Sequence, residues 1–458
     1  MAPSCPVYVI ATAVAVLCTL LQPMVMQAED ACPEECECSS RLEVIPKRRS
    51  KAVTCSATSG AQLPARLGAS VEVLRFTNNS LRRIDFFALR FSSLLDLELC
   101  CNGIHEITGS GRALPRLERL DLSANNLHII QQYAFRDFPK LAILNLSLNG
   151  LHTISPEAFL LPGLRELDLS HNRLSVLRAD YWKHMPNLEV LQLVHNALAA
   201  VPALVFTHSL RSLQLSNNRI VRVDDAAFDG INISGTLDLS GNALRRTPSA
   251  ALKRLGRVDT LLLDDNQLRA ITSEAVIGIA ARVISISKQK HLRFIQRGGF
   301  KNLPELEDLK LRDNVALSYI PSGAISLVPR LRDLDLSGNS LLALEREFIS
   351  TLPPIEHLNC RALAVPPAKL SWIAPAGTRL ANNACTARLC VRDHALTIRF
   401  LHREDEGQYL CFARNSLGDT SPLETGLLEV SPSQQGQEHI RTQFEAYNQE
   451  LNIRFLYI

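Results

Sequence analysis

One motif, seen as PRLERLDLSANNLHII, returns with substitutions about every 23 to 25 residues through most of the chain, and no other feature limits the fold as tightly. Set at one register, the frame LxxLxLxxNxL lines up Asn79, Asn102, Asn125, Asn149, Asn172, Asn196, Asn218, Asn242, Asn266, Asn314 and Asn339, with Gln289 in the weakest copy. Around Asn125, Leu120 and Leu122 alternate with Arg119, Asp121 and Ser123, which predicts a short strand with leucines inward and polar residues outward. The asparagine follows the strand, where the chain turns. Its amide both donates and accepts, so it can satisfy backbone groups inside the turn. Glutamine keeps the amide on a longer arm, which predicts a locally irregular coil at Gln289.

The opposite side of each copy reads QQYAFRDFPKL, SPEAFLLPGL, DDAAFDG and QRGGFKNLPEL. Phe135, Phe159, Phe228 and Phe300 are expected to form an aromatic spine there, and Pro139, Pro162 and Pro304 to interrupt any helix before the next strand. One copy cannot fold alone. Ordering it costs roughly 1–2 kcal/mol per residue, each buried Leu or Phe returns roughly 1.5–3 kcal/mol, and about six or seven of them fall short. Stability has to come from stacking. The frame resembles that of leucine-rich repeats, which implies an α/β horseshoe solenoid with a parallel sheet on its concave face, spanning residues 67–358 in about twelve repeats.

The chain starts with an almost wholly apolar run from Val7 to Leu21, then more polar residues ending in MQA before Glu29 and Asp30. That pattern predicts a secretory signal peptide over residues 1–28 cleaved near Ala28, the alternative being an uncleaved anchor. Cys32, Cys36, Cys38 and Cys55 follow at once, and in an oxidising compartment four close cysteines point to disulfides rather than zinc. The segment 29–66 looks like the cysteine-rich cap that opens extracellular leucine-rich repeat proteins. That resemblance implies pairing Cys32 with Cys38 and Cys36 with Cys55.

A net charge of +3 on 458 residues is too weak to argue for nucleic acid or a membrane surface as partner. The outward strand positions are nevertheless rich in acids, among them Asp168, Asp238, Asp264, Asp265, Asp308 and Asp335, while Gln192 and Gln214 lie in a less charged window between acidic zones. This face could receive a basic protein partner, or its charge could serve solubility alone. His171 and His195 are expected to be lateral neighbours on it and most simply surface histidines, with no set of ligands to complete a metal site. Cys100 and Cys101 share outward positions, either as thiols open to an intermolecular disulfide or with Cys101 capping the turn. Sequons at Asn78, Asn145 and Asn232 allow N-glycans, with Asn232 an easy acceptor in a loop and Asn145 placed where a glycan would obstruct the sheet face.

After Asn339 the rhythm gives way to LNCRALAVPPAKLSWIAPAG and LTIRFLHREDEGQYLCFARNSLGD, which resemble an immunoglobulin domain of the intermediate type over 359–431. The resemblance implies a Cys360–Cys411 disulfide, Trp372 on strand C, Leu396 and Ile398 on strand E, and Tyr409 at the corner before strand F. Strand A and the usual C-terminal repeat cap are missing, and Leu358 and Cys360 would serve both modules. An internal deletion by splicing or a faulty gene model is the expected cause, the alternative being a true short-linked architecture. Cys385 and Cys390 lack obvious partners, although they could bond each other. A polar tail, 432–458, contains no membrane anchor, so secretion is expected unless the natural chain is longer.

The modules together resemble the Lingo, Lrig and Kekkon families of extracellular regulators. The resemblance implies a secreted or cell-surface module that binds a receptor ectodomain or adhesion molecule, without catalysis, cofactor, small-molecule substrate or nucleic acid, and with membrane association only in a longer form. A matrix protein holding collagen or proteoglycan, or a truncated relative of the peroxidasins, is the alternative. No GxSxG elbow, phosphate loop or HExxH motif occurs in the sequence.

Overall fold

The computed structural model describes residues 32–341 apart from 34, 43–48, 59, 65–66, 69, 87–88, 90, 109–113, 137, 156, 205 and 207–208; beyond them it describes 348, 352–353 and strand segments between 363 and 454. The chain divides into two units, one ending at Leu198 and including Val205–His208, the other holding the rest.

In the first unit an antiparallel hairpin, Glu37–Leu42 against Arg49–Ser56, opens the sheet. Cys32 is bonded to Cys38, and Cys36 to Cys55. Cys55 lies on the inner hairpin strand, which carries the first parallel strand, Val73–Thr77. Three-residue strands then stack in parallel at Asp96–Glu98, Arg119–Asp121, Ile143–Asn145, Glu166–Asp168 and Val190–Gln192. Their register sets Leu97, Leu120, Leu144, Leu167 and Leu191 side by side, all buried. Polar residues flank Leu97, Leu120 and Leu167 on both sides, whereas Leu144 and Leu191 have apolar Ile143 and Val190 before them and polar Asn145 and Gln192 after.

The second unit repeats the plan with longer strands: Leu210–Gln214, Ile233–Asp238, Arg257–Leu262 and Ala280–Ser285, then Asp308–Lys310 and Asp333–Asp335. Here Leu213, Leu237, Leu261, Ile284, Leu309 and Leu334 form the inward row. Near the starts of the six-residue strands stand apolar Ile233, Val258 and Ala281, each buried, so burial extends further toward the strand's beginning than in the first unit. Gly235 lies where the register slips between Ile233 and Thr236. A Cβ there would come within 2.7 Å of the Arg211 carbonyl, so only glycine allows the approach.

Helix is scarce among the described residues: the α-helix Ser249–Arg254, the 3₁₀ turn Ala179–Tyr181 and helical Phe348. Turns and small parallel sheets close the coils instead, as in Val276–Ile277, Phe300–Lys301 and Ile325–Ser326. All four phenylalanines of the expected spine are buried, and Phe135 stacks on Phe159 at 6.1 Å. The spine is not purely phenylalanine. Trp182, fully enclosed, stacks on Phe206 at 6.1 Å, and in the second unit Val276 pairs with Phe300.

Beyond the repeats, Lys369–Ile373 runs antiparallel to Gly407–Asn415 with Trp372 opposite Cys411, as expected of strands C and F. Leu396 and Ile398 fall on Ala395–Ile398, which pairs with Leu389–Arg392, the strand carrying Cys390. Gly407–Asn415 also pairs with Glu424–Pro432, and that strand pairs with Glu438–Ala446, so the segment read as a polar tail carries a strand. Backbone pairing is indifferent to side-chain polarity, which is why composition gave no sign of it. Cys360, Cys385, Ile355, Leu358 and the whole of 1–28 lie outside the described residues, and with them the Cys360–Cys411 bond.

Candidate recognition face

The amide ladder holds each coil to its neighbour. Asn172 Nδ2 donates to the carbonyls of Leu169 and Ser170 in its own turn (3.0 and 3.1 Å) and to Leu146 one coil back (2.9 Å), while its Oδ1 accepts from Leu151 N–H (3.0 Å). Asn125, Asn149, Asn196, Asn242 and Asn266 reach back in the same way to Leu99, Leu122, Leu169, Leu215 and Leu239. Gln289 does not break the pattern. It is wholly buried, its Nε2 donates to Leu263 O at 2.8 Å and its Oε1 accepts from Leu268 N–H at 3.2 Å, because the longer arm reaches the same two groups. The change comes at the next two coils, where Asn314 and Asn339 accept from the N–H of Gln289 and of Asn314 themselves. Two residues now separate each of these ladder positions from the buried Leu292 or Leu317, so the leucine N–H has moved away.

Immediately before each ladder amide the backbone is left-handed. The row runs through Asn78, Cys101, Ala124, Leu148, His171 and His195 in the first unit, and Asn217, Gly241, Asp265, Lys288, Asp313 and Gly338 in the second, with φ between 47° and 70°. That conformation is uncommon outside glycine, yet every coil needs it to turn the chain back after the strand. The Asn217 side chain covers the space where a Cβ on Gly241 would lie, and Asp313 does the same over Gly338.

The outward strand positions sit between the buried row and this turn. Asp168 Oδ1 accepts from Ser170 N–H (2.8 Å), Asp238 Oδ1 from Ser240 N–H (2.9 Å) and Asp335 Oδ1 from Ser337 N–H (3.0 Å). The Asp-x-Ser spacing of LDLS therefore builds the turn as well as charging the face. Asp264 is bound across coils, taking Ser285 Oγ at 2.6 Å and Ser287 N–H at 2.7 Å from the following coil. Asp265 beside it is exposed, whereas Gln192, Gln214 and Asp238 are half-buried. Gln214 Nε2 donates to Ser212 Oγ at 2.8 Å. Burial raises the Asp168 carboxyl above the ordinary carboxylate range and the Asp121 charge adds to this, against the hydrogen bonds from Ser170 and the pull of His171.

His171 and His195 stack at 4.5 Å, the lateral pair expected from the register. Burial, then the His195 charge, hold His171 below the usual histidine value, with Asp168 opposing. No group of three or more metal-binding side chains occurs among the described residues. Several face charges are tied down in ion pairs: Arg75 with Glu98 (3.1 Å), Arg119 with Asp121 (3.7 Å) and Lys310 with Asp308 (2.9 Å). The acid-rich face read from sequence is thus partly neutralised, by alternation within a strand for Arg119 with Asp121 and Lys310 with Asp308, and by the stacking register for Arg75 with Glu98.

The three sequons differ. Asn145 Nδ2 donates to Asp121 Oδ2 (3.2 Å) and its Oδ1 accepts from Ser147 N–H and Oγ (3.0 and 2.8 Å), with Ser147 buried. Asn78 is exposed at a left-handed turn. Asn232 is exposed and its Oδ1 accepts from Arg257 N–H at 2.9 Å, so it lies against the next coil rather than loose in a loop. Cys100 and Cys101 are half-buried and outside both disulfides, with Cys101 in the left-handed row and its N–H on Ser123 O.

Models of the leucine rich repeat match residues 92–151, 115–161, 139–198, 208–268 and 281–341, together half of the chain. A model of the immunoglobulin I-set domain matches residues 356–422. No curated protein matches the chain. Both modules are typical of protein–protein recognition and of extracellular proteins, and their families are generally non-enzymatic. No helix among the described residues is long and apolar enough to cross a membrane. The chain belongs to the leucine-rich repeat family, within the group that joins such repeats to an immunoglobulin-like domain.

Proposed function

We propose that the chain is an extracellular, non-catalytic recognition module that binds a receptor ectodomain or adhesion partner and modulates its signalling. The contact set is Asp168 and Gln192 in the first unit and Gln214, Asp238, Asp264 and Asp265 in the second. The half-used carboxylate supports this reading: Asp238 spends one oxygen on Ser240 N–H, and its other oxygen has no partner among the described residues. A basic partner group would complete it, and the turn has already fixed the side chain, so little rotamer entropy is lost on binding. A protein that leaves residues 1–28 behind in the secretory pathway would carry glycans at Asn78 and Asn232, while Asn145, spoken for by Asp121 and Ser147, would stay bare and leave the face open.

Binding of the tagged, folded chain to a panel of purified receptor and adhesion ectodomains tests the reading. At least one specific complex is expected, weakened by Asp238→Lys with Asp265→Lys. A complex untouched by both substitutions moves the contact away from this face, and no complex with any ectodomain removes the proposal.

A further inference from the structure

The flank of the second unit, on the other side of the amide ladder from the acidic face, carries a line of arginines. Arg245 and Arg269 lie three residues past Asn242 and Asn266, and Arg293 takes the equivalent place past Gln289, its N–H donating to Arg269 O at 3.1 Å. Arg222 and Arg246 lie one residue further along, past Asn218 and Asn242. All five are exposed, and each stands next to the buried residues of a short lateral strand or turn, such as Val223 and Leu244. None of their guanidinium groups has an ion pair or hydrogen bond among the described residues. Some other arginines of the same unit are matched, Arg254 with Asp229, Arg257 with Glu305 and Arg282 with Asp259. The nearest acid after Arg222 is Asp224, and one of its oxygens caps Ala226 N–H.

Adjacent coils lie about 4.8 Å apart, so the five cations form a line of about 15 Å along the stacking direction rather than a pocket. Like charges held this close gain nothing from one another, and a linear polyanion is the ligand whose charge spacing such a line matches. Arginine's planar fork suits sulfate oxygens two at a time. We propose that this flank binds a linear sulfated polysaccharide of the heparin type through Arg222, Arg245, Arg246, Arg269 and Arg293. Asp264 and Asp265 precede Asn266 and Arg269 follows it, so the polyanion is kept off the acidic face, which stays available to a protein. The inference does not depend on the proposed protein partner.

The full chain, run on immobilised heparin with a salt gradient, should be retained at physiological salt. Arg245→Glu/Arg269→Glu/Arg293→Glu should weaken binding at least about tenfold, since each lost contact also lowers the salt dependence. The Arg→Gln triple variant should lie between the two, with an unchanged melting temperature to show that it folds. Arg254→Glu/Arg282→Glu, on the paired arginines, should elute with the wild type. Failure of the wild type to bind, or co-elution of the glutamate variant with it, overturns the proposal. Equal retention by desulfated heparin, or tighter binding to phosphatidylserine vesicles than to heparin, overturns the assignment to a sulfated polysaccharide.

Discussion

The two units obey one repeat and use it differently. In the first, the parallel strands after Val73–Thr77 are three residues long and polar side chains of the sheet face bind one another across coils, as in Arg75 with Glu98 and Asn145 with Asp121. In the second, the strands reach six residues, Asp264 binds Ser285 and Ser287 of the next coil, and a line of arginines on the flank has no ion pair among the described residues. What is constant between them is buried: the leucine row and the amide ladder. The lesson is that the ladder and the row carry the fold, so the residues around them are free to differ.

The largest break in that comparison should come from the ladder, which is common to both units. Asn172→Ala and Asn242→Ala each leave buried backbone groups unpaired on two coils, and each should cost about 3 kcal/mol or more in urea unfolding. A loss below about 1 kcal/mol in either unit would mean that the ladder is not shared support. Next, removing the Cys36–Cys55 bond by Cys36→Ala/Cys55→Ala should cost about 2–4 kcal/mol. Hydrogen exchange should place that loss in the first unit, and equal loss of protection in the second would show that the two units unfold together.

The two neighbouring acids of the second unit give a finer test. Asp264→Ala strands the Ser287 N–H and removes the shorter of the Ser285 hydroxyl's two bonds, and should cost about 1–3 kcal/mol, whereas Asp265→Lys should stay within about 0.5 kcal/mol, both read from melting curves. Comparable losses at the two positions would erase the distinction between structural and exposed carboxylates.

The smallest effect expected is a pH dependence confined to the first unit. The folded value of His171 lies below its unfolded one, so as pH falls through the ordinary histidine range the unfolded chain takes the proton first and stability drops. His171→Gln should flatten the melting temperature between about pH 7.5 and 5.5, by about a few tenths of a kcal/mol once solvent screening is allowed for. Asp168 acts in the opposite sense nearer the carboxylate range: its raised value means the folded state takes the proton first and stability gains as pH falls. A slope unchanged in His171→Gln would assign it to other groups.

Periodicity alone made most of the fold legible. The ladder residues, the inward leucines, the buried phenylalanines and the His171–His195 contact all follow from counting, because a stacked coil converts a fixed sequence interval into lateral adjacency. The candidate face was legible as a set of positions but not as chemistry. Whether Asp264 is a contact or a brace depends on Ser285 and Ser287, which lie more than twenty residues away in sequence. The flank arginines Arg245, Arg269 and Arg293 align by the same frame, but they lie in the turn beyond the ladder and not at the outward strand positions that define the face.

By itself, then, the sequence determined the repeat, the buried row and the residue types that line each side, since these depend only on spacing and polarity. Tertiary structure decided which polar groups are consumed by neighbouring coils: the bond that ties Asn145 to Asp121, the reach that lets Gln289 stand in for asparagine, and the counter-charges that Arg282 finds and Arg269 does not. A hydrogen bond or an ion pair is fixed within a few tenths of an ångström, and only the stacked backbone sets distances that finely.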